Sequence, residues 1–244
     1  MSPTLVPLTV RAHLAAGVAH ASPWGTALDG LLAAELWADH KATAREHGEL
    51  IPGLQDTDDP TDLPLPLDRC TTPDGTWHWA ATSAHPDGPP TDSPDVHYWT
   101  GRTDSRALED LTPTLPATLS DRQGRYRARR VPLLVTSCPS VTWAAVGDPT
   151  AIADLLRPLR AVGKKRSHGE GQVLRWEITP TPDVPWWDAA HLHPDGTLGR
   201  PTPTGCLHNR ADVVTGGYGT AGLRPPYMHP ARQQPLHLPA FLDR

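Results

Sequence analysis

An α+β domain of ferredoxin-like βαββαβ plan is the fold class that three observations predict. A strand–helix–strand pattern opens the chain, a second and clearer one runs from Val141 to Ile178, and a Pro- and Gly-rich insertion separates them. The 244 residues suffice for one sizeable core with attachments rather than two independent domains. With 29 prolines and 20 glycines, much of the chain must be irregular. Residues 1–180 are read as the domain, with an insertion at about 85–136, and 181–244 as a wrapping C-terminal extension.

The first strand is Leu8-Thr-Val-Arg-Ala-His-Leu14, whose apolar residues alternate with Thr9, Arg11 and His13. Thr26-Ala-Leu-Asp29 then has the form of a capping box, with Leu28, Leu31, Leu32 and Leu36 following at helical spacing. Asp29 is accordingly expected to cap. A Pro/Asp/Thr stretch from Ile51 to Pro73 leads to Thr76-Trp-His-Trp-Ala-Ala81, which alternates and is expected to be the second strand. Within the insertion, His97–Thr100 and Arg125–Val135 read as two strands of a hairpin, and Pro132 restricts the latter to an edge or a protrusion. Val141–Val146 is a β-branched and aromatic strand. Asp148 follows as N-cap with Pro149 at the first helical position, and Ile152, Leu155, Leu156 and Leu159 form a core-facing stripe. Gly163 ends that helix, and Gln172–Ile178 is the last strand.

A net charge of −5 conceals a strong asymmetry. Between Arg122 and Arg175, eleven Lys or Arg residues face only Asp148, Asp154 and Glu170, a local charge of +8 that leaves −13 for the remainder. A polyanion site on an acidic protein is the physical consequence, with a basic face for an acidic partner protein as its alternative. Cys70, Cys138 and Cys206 are odd in number, widely spaced and without a C-x-x-C pair, so they are expected to be free thiols, with no metal and no cofactor. The opening residues lack a basic leader and an apolar segment of signal length, and no run approaches the ~18 apolar residues of a membrane span. A cytoplasmic protein with no membrane partner is expected.

The chemistry concentrates in Gly163-Lys-Lys-Arg-Ser-His-Gly-Glu-Gly171. Its glycines permit positive φ and close approach of the backbone to a ligand, while Lys164, Lys165 and Arg166 supply phosphate-directed charge. It is not a Walker loop, because a helix precedes it and a strand follows, and it lacks the spacing of a dinucleotide fingerprint. A sugar-phosphate backbone bent over the sheet fits it, with Gly163, Lys164, Lys165, Arg166, Ser167, His168, Gly169 and Gly171 as candidate RNA-binding residues.

Ala161–Glu177, taken with its place after the second helix, resembles the glycine-rich loop and final strand of the RAMP proteins of CRISPR systems. Leu28-Asp-Gly-Leu-Leu-Ala33 is similar to that family's first-helix motif, and Arg224-Pro-Pro-Tyr-Met-His-Pro230 to a terminal motif with Trp where this chain has Met228. Together the three resemble the subunit of type IV effector complexes that binds the five-prime handle of the guide RNA. The resemblance spans both ends of the domain but covers only about a quarter of the residues. It implies a non-catalytic subunit that caps one end of a filament of repeating backbone subunits and grips the crRNA with the loop. It further implies that the inserted hairpin bearing Arg125, Arg127, Arg129 and Arg130 acts as a thumb over the guide. A large or helicase subunit and target DNA, through reading of the target-flanking motif, complete the implied partners.

Three other readings compete. In a metal-independent endoribonuclease of the same superfamily, His20, read as lying in an exposed turn, and His168 would activate the 2′-hydroxyl and protonate the leaving oxygen. A protein-docking module would use the basic segment without nucleic acid. Metal hydrolysis through His191-x-His193 and His208 is disfavoured by irregular surroundings without an acidic ligand set. Trp24 and Trp99 are candidates for base stacking.

Overall fold

A computed structural model describes residues 4–20, 24–51, 53, 57–88, 95–101, 127, 129–166 and 169–240. It is an α+β protein with mostly antiparallel sheets. The central sheet has four strands, β1 (Val6–Leu14), β5 (His85–Asp87), β8 (Ser140–Gly147) and β9 (Val173–Pro180), in the order β5-β8-β1-β9. All three pairings are antiparallel, and Val10 sits between Trp143 and Ile178. Helix α1 (Leu28–Glu46) follows β1, and α2 (Pro149–Leu156) follows β8. Both cover the sheet face formed by Leu8, Val10, Ala12, Val141, Trp143 and Ala145, where Leu28, Leu32, Ile152 and Leu156 are fully buried. Each such leucine contributes about 2 kcal/mol of burial. Trp143, also fully buried, keeps its indole satisfied by donating Nε1–H to Thr26 O at 2.8 Å.

The second helix starts as its sequence dictates: the Asp148 carboxylate accepts from Thr150 N and Ala151 N, with Pro149 in the first turn. It ends at Leu156 rather than Gly163, because Pro158 has no N–H to continue the helical ladder after Arg157 N–H donates to Ala153 O; Leu159 is nevertheless buried. The first helix corrects an expectation. Its N-cap is Ala27, without a side-chain cap, and the fully buried Asp29 is turned toward the C-terminal extension.

The second-strand expectation is corrected too. Trp77–Trp79 (β4) pairs with Arg69–Thr71 (β3) in a separate hairpin, with the Arg69 guanidinium over both tryptophan rings. The edge of the central sheet belongs to β5, inside the stretch read as insertion. Polar bonds hold that strand: the Asp87 carboxylate accepts from Ser140 Oγ, Thr142 Oγ1 and Arg11 Nε. Three residues so anchored carry no apolar periodicity to read.

Among the described residues of the rest of the insertion, β6 (Asp95–Gly101) pairs antiparallel with β7 (Arg129–Ser137) as the two strands of the hairpin, and β7 also pairs with β2 (Gly17–Ala19) directly after β1. Pro132 lies where β7 pairs with β6 alone, so its missing N–H interrupts no second ladder. Beyond β9, α3 (Trp186–His191) lays Ala189 and Ala190 on Ala80 and Val146, and β10 (Thr215–Gly222) pairs with β11 (Gln233–Pro239). No helix among the described residues is long and apolar enough to cross a membrane.

Candidate nucleic-acid interface

The glycine-rich loop is pinned at its root. Val162 N–H donates to Gly171 O at 2.9 Å, and Ala161 bridges Gln172, so the chain closes as a hairpin bend between α2 and β9. At Gly171 φ is +66°, and a Cβ there would lie 1.9 Å from Val162 O; only glycine fits. Gly163, at φ +80°, is pressed against Ala19 O, which also accepts from Lys164 N–H at 2.8 Å, so the loop starts against β2. Lys164, Arg166 and Gly169 are exposed and Lys165 is half-buried. Arg166 faces α1, where it opposes the burial that raises the Glu35 carboxyl above its usual range.

The loop and the inserted hairpin meet. Lys165 adopts the left-handed conformation at φ +57° and places Nζ 3.4 Å from the centroid of the Trp99 ring. One turn of the strand away, His97 Nδ1 lies 2.9 Å from Glu170 Oε1, and that carboxylate holds the imidazole above its ordinary pKa. Gly101 makes room for the indole: a Cβ there would sit 2.8 Å from the Trp99 ring. On the other face of the hairpin, Arg130 lies 4.0 Å from the centroid of Tyr98, a ring 54% exposed. Arg127 and Arg129 are exposed as well. The hairpin thus carries cationic and aromatic groups on both faces, with donors for phosphates and π faces for bases. Composition and loop spacing foretold its charge, whereas the seating of Lys165 on Trp99 has no sequence signal.

Other expected residues fall elsewhere. Arg125, Ser167 and His168 lie outside the described residues. Trp24 stands just before α1, its carbonyl accepting from Ser83 Oγ. Met228 is 80% exposed. His20, expected in an exposed turn, instead has both ring nitrogens buried without a hydrogen-bond partner among the described residues, and burial lowers its pKa.

The three cysteines also divide. Cys138 is buried by itself, its thiol pushed up to about 11 by burial. Cys70 and Cys206 are far apart in sequence yet adjacent in space, beside His78 and His191. Of the histidines weighed for a metal, only His191 joins this group; His193 instead packs on His85, ring centroids 4.5 Å apart. No family model and no curated protein matches the chain.

Proposed function

We propose that this chain is a non-catalytic RNA-binding protein, and specifically the crRNA-binding subunit of a CRISPR effector complex that caps the five-prime handle of the guide. The observation that carries the reading is the contact of Lys165 with Trp99, which makes one surface of the glycine-rich loop and the inserted hairpin. A strand of RNA laid along it would meet Lys164, Lys165 and Arg166 on the loop and Arg129 on the Trp99 face of the thumb, leaving Arg130 and Tyr98 to meet nucleic acid on the thumb's other face. The order β9-β1-β8-β5, with a helix after β1 and another after β8, supports the finer ferredoxin-like reading of the fold. In this reading residues 1–180 are the RAMP domain, the chain works in the cytoplasm, and its partners are a repeating backbone subunit, a large or helicase subunit and target DNA.

The test is binding of a repeat-derived handle RNA, followed by fluorescence anisotropy at several salt concentrations. Replacing Lys164, Lys165 and Arg166 together by alanine removes three phosphate contacts. That should weaken binding steeply and make the negative slope of log K against log salt shallower by about 2. Unchanged affinity of a folded triple variant would remove the loop from the mechanism. Purified wild-type protein should also carry a 260 nm excess, which a protein-docking module would lack. Metal-free cleavage of repeat RNA, lost on His20→Ala or His168→Ala, would move the assignment to a ribonuclease.

A further inference from the structure

Cys70 on β3, His78 on β4, His191 at the end of α3 and Cys206 in the 3-10 turn Thr204–Leu207 converge from four segments of the chain. One ligating atom from each lies within 4.8 Å of all the others. The sulfurs are 3.4 Å apart, and Cys206 Sγ is 3.5 Å from His78 Nε2. Zinc bonded to sulfur at about 2.3 Å and to nitrogen at about 2.0 Å holds tetrahedral donors roughly 3.3–3.8 Å apart. The sulfur–nitrogen separation already matches that, while the two sulfurs would spread slightly and the widest pair, within 4.8 Å, would contract.

The groups around these donors are arranged as a metal site requires. Both histidines are fully buried. His78 Nδ1 bonds Trp79 O at 2.9 Å, and His191 Nδ1 bonds Trp187 O at 2.9 Å. A ring that donates Nδ1–H to a carbonyl presents a lone pair at Nε2, the tautomer that ligates. His191 Nε2 is buried and has no hydrogen-bond partner among the described residues, an arrangement that is costly unless an acceptor of that lone pair occupies the site. Trp187 stacks flat on His191 at 4.4 Å and donates its indole N–H to the carbonyl of Cys206, fixing two of the four residues at once.

From this geometry we infer a structural zinc site of Cys2His2 type, formed by Cys70 Sγ, His78 Nε2, His191 Nε2 and Cys206 Sγ. All four positions are filled by protein, so the ion has no open coordination position for substrate. Its work is mechanical: it ties the β3–β4 hairpin to α3 and the turn at Thr204–Leu207, and thereby fastens the C-terminal extension to the domain. Binding displaces the thiol protons, and the ion adds stability to the folded chain alone. The assignment is independent of the RNA reading.

The test uses untagged full-length protein purified under reducing conditions. Elemental analysis should find about one zinc per chain. Exchange for Co(II) should give the intense visible bands of a tetrahedral thiolate site. Cys206→Ser should lose both signals while Cys138→Ser keeps them, and chelation should lower the Tm of wild type and of Cys138→Ser but not that of Cys206→Ser. A wild-type chain that is folded by circular dichroism yet binds neither zinc nor cobalt overturns the proposal. So does a Cys70–Cys206 disulfide in that preparation, detected by peptide mapping.

Discussion

The hydroxyl of Tyr227 donates to Asp29 Oδ1 at 2.5 Å, across 198 residues of sequence. The same carboxylate oxygen accepts from Gly30 N–H in the first turn of α1, and a Cβ on Gly30 would lie 3.2 Å from the Tyr227 ring. The first-helix motif and the terminal Arg-Pro-Pro-Tyr motif are therefore the two halves of one buried contact. Burial raises the pKa of Asp29, and Arg200, 3.8 Å away, opposes the shift. Arg200 donates to the carbonyls of Trp79, Ala81 and Leu223, so it is held where Asp29 needs a counter-charge. Tyr227→Phe leaves Asp29 short of a donor in a dry site and should cost about 1–3 kcal/mol. Urea denaturation should show a lower midpoint with an unchanged m-value. Asp29→Ala should cost more, because it also strands Arg200.

Trp99 supports a second prediction. Its ring underlies Lys165 and is the contact through which the hairpin meets the loop. A cation on an aromatic face is worth about 0.5–1 kcal/mol at an exposed site, and a stacked base about 1–3 kcal/mol. Trp99→Leu should therefore weaken handle RNA binding by about 5- to 10-fold, while Trp99→Phe, which keeps a π face, should stay within about 2-fold of wild type. Anisotropy titrations decide it, and equal losses for the two variants would exclude the ring face as the cause.

Legibility in the sequence followed locality. From Val141 to Ile178 each signal sits within a few residues of its consequence: Asp148 caps its own helix, and Leu156 faces its own core. The loop was visible for the same reason. The edge strand β5 was not, because the carboxylate of Asp87 holds it against side chains 53 to 76 positions away. The Cys70, His78, His191 and Cys206 cluster was hidden twice, by its separation in sequence and by the lack of a paired-cysteine motif. Asp29 was misread because its local pattern suits a cap, while its tertiary partner Tyr227 outweighs that pattern.

The two glycines toward the end of the loop should respond differently to alanine. Gly171 has φ +66° and a carbonyl 1.9 Å from where a Cβ would stand, so Gly171→Ala combines backbone strain with a clash that only movement of the loop root relieves. Gly169, at φ +92°, has open space around it, so Gly169→Ala costs only the backbone preference, about 1–2 kcal/mol at most. Thermal melts should show the larger loss at Gly171. RNA binding should fall with it, because the root sets where Lys164 to Arg166 point.

The pair His97–Glu170 makes the hairpin–loop contact dependent on pH. The carboxylate raises the His97 pKa by hydrogen bond and charge, and Asp95 on the same strand adds to it. The folded-state value thus stands above the ordinary 6.5 or so of an unfolded chain. Such a group contributes its full stabilisation below the unfolded value and loses it as pH rises through the folded one. The contact should therefore be firm in mildly acidic solution and loosen above neutrality. An NMR titration of the His97 ring should give a midpoint above about 6.5, returning toward that value in Glu170→Gln. Amide exchange of β6 should quicken over the same pH window, after correction for intrinsic rates, and Glu170→Gln should abolish that step. A midpoint at or below the ordinary value in wild type would show that the two side chains do not pair in solution.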